Sequence, residues 1–130
     1  MNEVLDFLKK CKTYYLATLE NGKPRVRPFG TAEVFEGKLY IQTGKKKEVF
    51  KQILENPNVE ICAYDGDTWM RVEGKLIIDD RIDAKKYMLD QNPYLRSMYD
   101  EQDDNTAVLY FENGIARIYS FTSDIREIRF

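Results

Sequence analysis

Two short stretches hold the residues best suited to gripping a charged ligand. In "GKPRVRPFG", residues 22–30, Lys23, Arg25 and Arg27 fall on one face of an extended chain, with Val26 and Pro28 on the other. Pro28 removes one ladder donor and Gly30 follows closely, so main-chain amides and carbonyls are left open to a ligand read through its backbone contacts. Taken alone, the same stretch is also a charged edge strand that resists edge-to-edge pairing. In "TGKKKEVFKQILENP", residues 43–57, a hydroxyl, a glycine and three lysines lead into a helix. A helix start presents unpaired amides and the positive end of the dipole, which suits phosphate. That dipole disfavours lysine, so three lysines there make more physical sense with a dianion to compensate them, although a lone lysine run is also an ordinary solvated loop.

Composition removes most other chemistries. The 130-residue chain contains no histidine, which argues against Ser-His or Cys-His nucleophiles, most zinc sites and a histidine-ligated haem. Twenty basic residues against twenty-two acidic ones give a formal charge of −2. Any anion binding is therefore local, and neither nucleic acid nor an anionic membrane is an expected partner. The acidic stretch "DEQDDN" at 100–105 points the same way. Paired-carboxylate chemistry is disfavoured because Asp65, Asp67, Asp79, Asp80 and Asp83 sit at expected turns and caps. Cys11 and Cys62 alternate with apolar neighbours and are expected to be buried free thiols, which fits a cytoplasmic protein. No apolar run approaches the roughly 18 residues of a membrane span, and "MNEVLDFLKK" lacks the pattern of a signal peptide.

The elements that must position the two stretches are legible from periodicity and turns. Val4, Leu5, Leu8 and Cys11 predict a short amphipathic helix capped by Asn2, plugging one end of a sheet. Strands are expected at Tyr14 to Glu20 and Lys23 to Phe29, joined at Asn21-Gly22, then at Thr31 to Phe35 and Lys38 to Thr43 around Glu36-Gly37. A helix follows with Val49, Phe50, Ile53 and Leu54 on one face, ended by Asn56-Pro57. "VEICAY" and "TWMRVEGKLIID" flank the turn Asp65-Gly66-Asp67, with a bulge expected at Gly74. Asp80 and Asp83 resemble a cap that opens a helix through Asp90, and "NPYLRSMY" reads as a further helical turn. The tail reads as two strands joined by Asn113-Gly114 and a last strand to Phe130. This pattern predicts one α+β, mainly β domain over residues 1–130, an antiparallel barrel, closed or nearly so, with two to three short peripheral helices. A barrel this small is filled by its own side chains, so ligands belong on its outside or at a subunit interface.

"YYLATLENGKPRVRPFG", "KLYIQTGKKKEVFKQILENPNVEICAY" and "TWMRVEGKLII", in that order, resemble the FMN-binding split barrel of the pyridoxamine 5′-phosphate oxidase-like family. The resemblance implies a Greek-key split β-barrel and a homodimer with FMN at the interface. It places Arg27 at the FMN phosphate or ribityl chain, and Pro28, Phe29 and Gly30 along the flavin. Gln42 and Thr43 close the next strand of the site. The phosphate-binding lysine falls among Lys45, Lys46 and Lys47, with Lys47 favoured because it directly precedes the helix. Trp69 occupies a place where the family often presents a glutamine from the neighbouring subunit; it stacks on or covers the ring, or is an ordinary half-buried strand aromatic. The pyridoxal phosphate-forming oxidases carry a longer C-terminal region with arginine and histidine, so that activity is not expected here. The resemblance implies an FMN-dependent oxidoreductase that reduces a small-molecule acceptor, with NAD(P)H as transient electron donor because no dinucleotide-binding fingerprint is present. The alternative is a non-catalytic FMN carrier or redox sensor.

Overall fold

Alternation and turn chemistry build the sheet that the computed structural model describes over residues 1–130. In β1 (Tyr14–Glu20), Tyr14, Leu16 and Thr18 point inward, and Asn21 and Gly22 take φ of 52° and 76° to turn the chain into β2 (Lys23–Phe29). β3 (Glu33–Phe35) and β4 (Lys38–Gly44) form a second hairpin, for which Glu36 and Gly37 adopt similar left-handed values. After α2 (Glu48–Glu55), β5 (Asn58–Tyr64) and β6 (Thr68–Asp79) pair across a turn tied by the Asp65 carboxylate, which accepts the Asp67 and Thr68 amides at 2.9 and 2.8 Å. α3 (Ile82–Gln91), a 3-10 turn (Pro93–Ser97), β7 (Thr106–Ser120) and β8 (Arg126–Arg129) complete the chain behind α1 (Asn2–Cys11).

All strand pairs are antiparallel, in the order β2-β1-β5-β6-β7-β4-β3 with β8 on β7. The barrel is split: no ladder joins β2 to β3, so the sheet does not close. It nevertheless wraps one core, in which Leu16, Ile41, Ile61, Met70, Val72 and Leu109 meet Val4 and Leu8 of α1 and Val49, Phe50 and Ile53 of α2. α1 thus covers one end of the barrel, as its periodicity implies. No helix is long and apolar enough to cross a membrane.

Five expectations need correction. Asn113-Gly114 is not a hairpin turn, because the 12-residue β6 offers a continuous ladder to both flanking segments, and β7 runs straight through. Glu73 pairs with Ile115 but Lys75 with Glu112, so β7 carries one extra residue, and Asn113 absorbs it at φ 56°. Gly74 lies opposite this bulge, where an added Cβ would stand 3.0 Å from the Phe111 ring; the bulge expected at Gly74 therefore belongs to β7. The third strand begins at Glu33 rather than Thr31, whose hydroxyl is engaged elsewhere. Asn2 and Asp80 cap nothing: Met1 and Arg81 are the N-cap residues of α1 and α3, and Asp80 pairs with Lys45 at 3.1 Å. The thiols are not buried, since Cys11 is half-buried and Cys62 exposed on the outer face of β5.

A smaller cluster of Tyr40, Ala84, Met88 and Val108 seats α3 on the outside of β4 and β7. Beside it the Tyr40 hydroxyl donates to the buried Asp79 carboxylate at 2.8 Å, and Arg81 donates to Asp79 at 2.9 and 3.0 Å. The Arg81 guanidinium holds the Asp79 carboxyl below its ordinary value of 3.8, at about 2, against the opposing pull of burial. A depressed carboxylate stabilises the fold above its unfolded pKa and loses that contribution as pH falls through the folded one. Wild-type stability should therefore fall by roughly 2 kcal/mol between about pH 4 and pH 2 from this group. Urea unfolding of Asp79→Asn across the same range should lack that component; parallel profiles for the two proteins would exclude it.

Candidate functional site

The split in the barrel opens into a cleft of about 390 Å³. Its walls come from the end of β2 and the residues after it (Arg27 to Thr31), the end of β4 (Gln42, Thr43), the start of α2 (Lys47, Val49), the 3-10 turn (Tyr94, Leu95) and the residues just after that turn (Met98, Tyr99). The two sheet ends meet here through Thr31. Its hydroxyl accepts the Gln42 amide at 3.1 Å and lies 3.5 Å from the Gln42 carbonyl, to which it donates. The buried Tyr14 hydroxyl donates to the Thr31 carbonyl at 2.5 Å and fixes the segment from below. Burial pushes the Tyr14 phenol far above its usual range, so it remains a donor at any relevant pH.

Charge in the cleft is entirely positive: Arg27 and Lys47 line it, and no carboxylate does. Arg27 is held by neutral acceptors, donating to the Leu16 carbonyl at 3.1 Å, the Thr18 hydroxyl at 2.7 Å and the Gln52 amide oxygen at 2.6 Å. Desolvation lowers its pKa while Glu20 raises it, and a guanidinium stays charged throughout. Lys47 is the N-cap residue of α2, in extended conformation, and no side chain caps the helix. The Glu48 and Val49 amides consequently have no acceptor in the protein, whereas the Lys45 and Lys46 amides are taken by the Asn105 carbonyl and side-chain oxygen at 2.7 and 3.1 Å. Gln42 supplies a different signal. It is 6% exposed, and neither its side-chain oxygen nor its nitrogen has a hydrogen-bond partner. A buried, unpartnered amide costs about 1–3 kcal/mol, so one in the wall of a cleft is poised for a ligand offering both a donor and an acceptor.

Of the residues singled out from the sequence, the structure brings Arg27, Pro28, Phe29, Gly30, Gln42, Thr43 and Lys47 into this one cleft. Lys46 lies outside its wall, exposed beside Asn105. Trp69 is also elsewhere in this chain, on the outer face, stacked on Tyr119 at 5.4 Å and 5° and tilted against Phe121. Sequence reasoning missed Thr31 and the 3-10 residues. Tyr94 and Met98, on and just after a proline-initiated turn, prove to be 63% and 66% exposed, but nothing in the chain announces that this turn returns to the end of β2.

The fold and the cleft together are those of an open antiparallel barrel with a cationic, carboxylate-free opening at its split. Residues 1–112 match the family model described as pyridoxamine 5′-phosphate oxidase. General stress protein 26 of Bacillus subtilis (strain 168) is 33% identical over 114 residues, covering 82% of this chain and 78% of that protein. The crystal structure of a NimC/NimA family protein from Clostridium acetobutylicum superposes with a TM-score of 0.96 at 42% identity, covering 100% of this chain and 92% of the other. A pyridoxamine 5′-phosphate oxidase-related, FMN binding protein from Nostoc punctiforme PCC 73102 shares the fold, with a TM-score of 0.66 at 14% identity and coverage of 99% and 95%. The chain belongs to the pyridoxamine 5′-phosphate oxidase family.

Because Thr31 replaces a ladder at the split, removing its hydroxyl should strand the Gln42 amide. Thr31→Val should lower unfolding stability by about 1–3 kcal/mol in urea titrations, and Thr31→Ser should recover most of the loss. Equal stability of the valine and serine variants would refute this role.

Proposed function

We propose that this cleft binds FMN and that the protein is an FMN-dependent oxidoreductase acting on a small-molecule acceptor. The observation that carries the reading is the pairing, within one cleft, of an unneutralised Arg27–Lys47 charge with the unpartnered buried amide of Gln42. A phosphate answers the first, and a planar ring bearing both donors and acceptors answers the second. Lys47 is the lysine assigned to the phosphate, joined by the free Glu48 and Val49 amides, since Lys45 is committed to Asp80 and Lys46 stands outside the wall. Phe29, Val49 and Leu95 line the cleft and would exclude water, and the backbone of Pro28 to Gly30 would face the bound ring.

FMN, when bound, supplies hydride and electron transfer. The protein residues then bind, orient and neutralise, which accounts for a site without histidine or carboxylate. The open side of the cleft would admit a transient electron donor such as NAD(P)H. The partner that completes the site is a second copy of the chain, docked through the exposed outer face of β5, β6 and β7, where Tyr64, Trp69 and Tyr119 align across the register. In that dimer Trp69 would stand where it could cover the partner's bound flavin, and two free thiols suit a cytoplasmic setting. The carboxylate-free wall also suits a non-catalytic carrier or redox sensor.

Purified protein mixed with FMN should quench flavin fluorescence and show bound-flavin absorption, and Arg27→Ala and Lys47→Ala should each weaken binding about tenfold or more. Unchanged fluorescence and a colourless protein would defeat the FMN reading. With FMN bound, NADH and NADPH oxidation should be stimulated by a quinone or a nitroaromatic; a flat panel leaves the carrier. Sedimentation should give twice the chain mass, reduced toward one chain by Trp69→Ala.

A further inference from the structure

The Arg27 guanidinium is held by a residue that no anion would touch. Gln52 lies on the inward face of α2, 6% exposed, and its side-chain oxygen accepts from Arg27 Nη2 and from Thr18 Oγ1, both at 2.6 Å. Its side-chain nitrogen faces Glu20, 3.5 Å away, and Glu20 is itself bound to Arg25 at 3.0 Å. A glutamine thus stands between the arginine and the nearest carboxylate. Three of the five guanidinium N–H donors are used, all on neutral acceptors, and two are left without a partner in the chain. Gln52 also belongs to the helix whose first amides and N-cap lysine form the other side of the cleft.

We infer that Gln52 is a positioning residue that holds Arg27 by a neutral clamp and so reserves its charge for a ligand phosphate, making the site selective for the phosphorylated flavin over riboflavin. Glutamine, glutamate and methionine are nearly equal in size, so position 52 could hold any of them. Glutamate at position 52 would hold Arg27 at least as firmly, but as an ion pair, and an arginine already paired with a carboxylate has less to offer a phosphate. Methionine would fill the volume and remove the anchor on Nη2, leaving the Leu16 carbonyl and the Thr18 hydroxyl to hold Nη1 alone. Of the three residues, glutamine is the one that holds Nη2 without neutralising the charge. The inference rests on the FMN reading given above and goes beyond it by naming what sets the preference for a phosphate.

The test measures dissociation constants for FMN and riboflavin by fluorescence quenching, with thermal melts, on wild type, Gln52→Glu and Gln52→Met. Wild type should bind FMN about tenfold or more tightly than riboflavin. Gln52→Glu should lose most of that ratio through weaker FMN binding alone, with riboflavin affinity unchanged. Gln52→Met should lose part of it, which keeps the inference testable if the buried glutamate beside Glu20 prevents folding. Equal losses for both flavins, the signature of a merely structural role, would overturn the clamp, as would a full ratio retained in either folded variant. Wild type that binds neither flavin sinks the cofactor reading and the clamp with it, whereas tight wild-type FMN binding that is indifferent to position 52 sinks the clamp alone.

Discussion

A strongly curved sheet must either close its last ladder or find another way to satisfy the backbone at its two ends. Here a single threonine hydroxyl provides that other way. Thr31 meets both main-chain polar groups of Gln42, and Tyr14 meets the carbonyl of Thr31 from within the core. The stitch is one residue wide, so the edges around it stay apart, and the space between them is the cleft. Much of the rest depends on this constraint: Pro28 and Gly30 are tolerated because no ladder needs their amides, and Gln42 carries its side chain into the wall because its backbone is anchored beside Thr31.

Charge is apportioned around that opening with the same economy. The protein has nearly equal numbers of acidic and basic residues, yet the carboxylates near the cleft are occupied before they reach it. Glu20 is held by Arg25, Asp80 by Lys45, and Asp79 by Arg81 and Tyr40. What remains over the cleft is one arginine on neutral supports and one lysine at a helix start. Three adjacent lysines therefore have three different environments: one in an ion pair, one exposed with only its amide engaged, and one in the wall.

Local chemistry was legible wherever the chain decides locally. Asn21-Gly22 and the alternation of β1 and β2 gave that hairpin to the residue, and the proline after Asn56 marked the end of α2. The arginine strand and the lysine helix start were readable as two halves of an anion site because helix ends and proline-broken strands leave backbone unpaired wherever they occur. Reading failed where a distant partner decides. Asn113-Gly114 has the composition of a tight turn, but β6 lies alongside and pairs with both flanks, so the same dipeptide became a bulge. Cys62 alternates with apolar neighbours, yet the period of two fixes only that it opposes them, and they are the ones facing inward. The 3-10 wall of the cleft was invisible for a related reason, since its approach to β2 is a property of α3 docking on Tyr40 and Val108 rather than of its own residues.

The bulge at Asn113 does more than bend a strand. Before it, the residues of β7 that enter the main core are Ala107, Leu109 and Phe111; after it, the buried core residue is Ala116. The extra residue shifts the reading frame of inside and outside along a single strand, much as an inserted letter changes every word that follows. Loss of that one residue would leave an unbroken ladder with Ala116 still opposite Val72 and facing the core. Keeping the residue without the bulge is what would exchange the faces from Ile115 onward and turn Arg117 and Tyr119 inward. The aromatic surface on the far half of β7 therefore depends on Asn113 holding its left-handed conformation, not on the length of the strand.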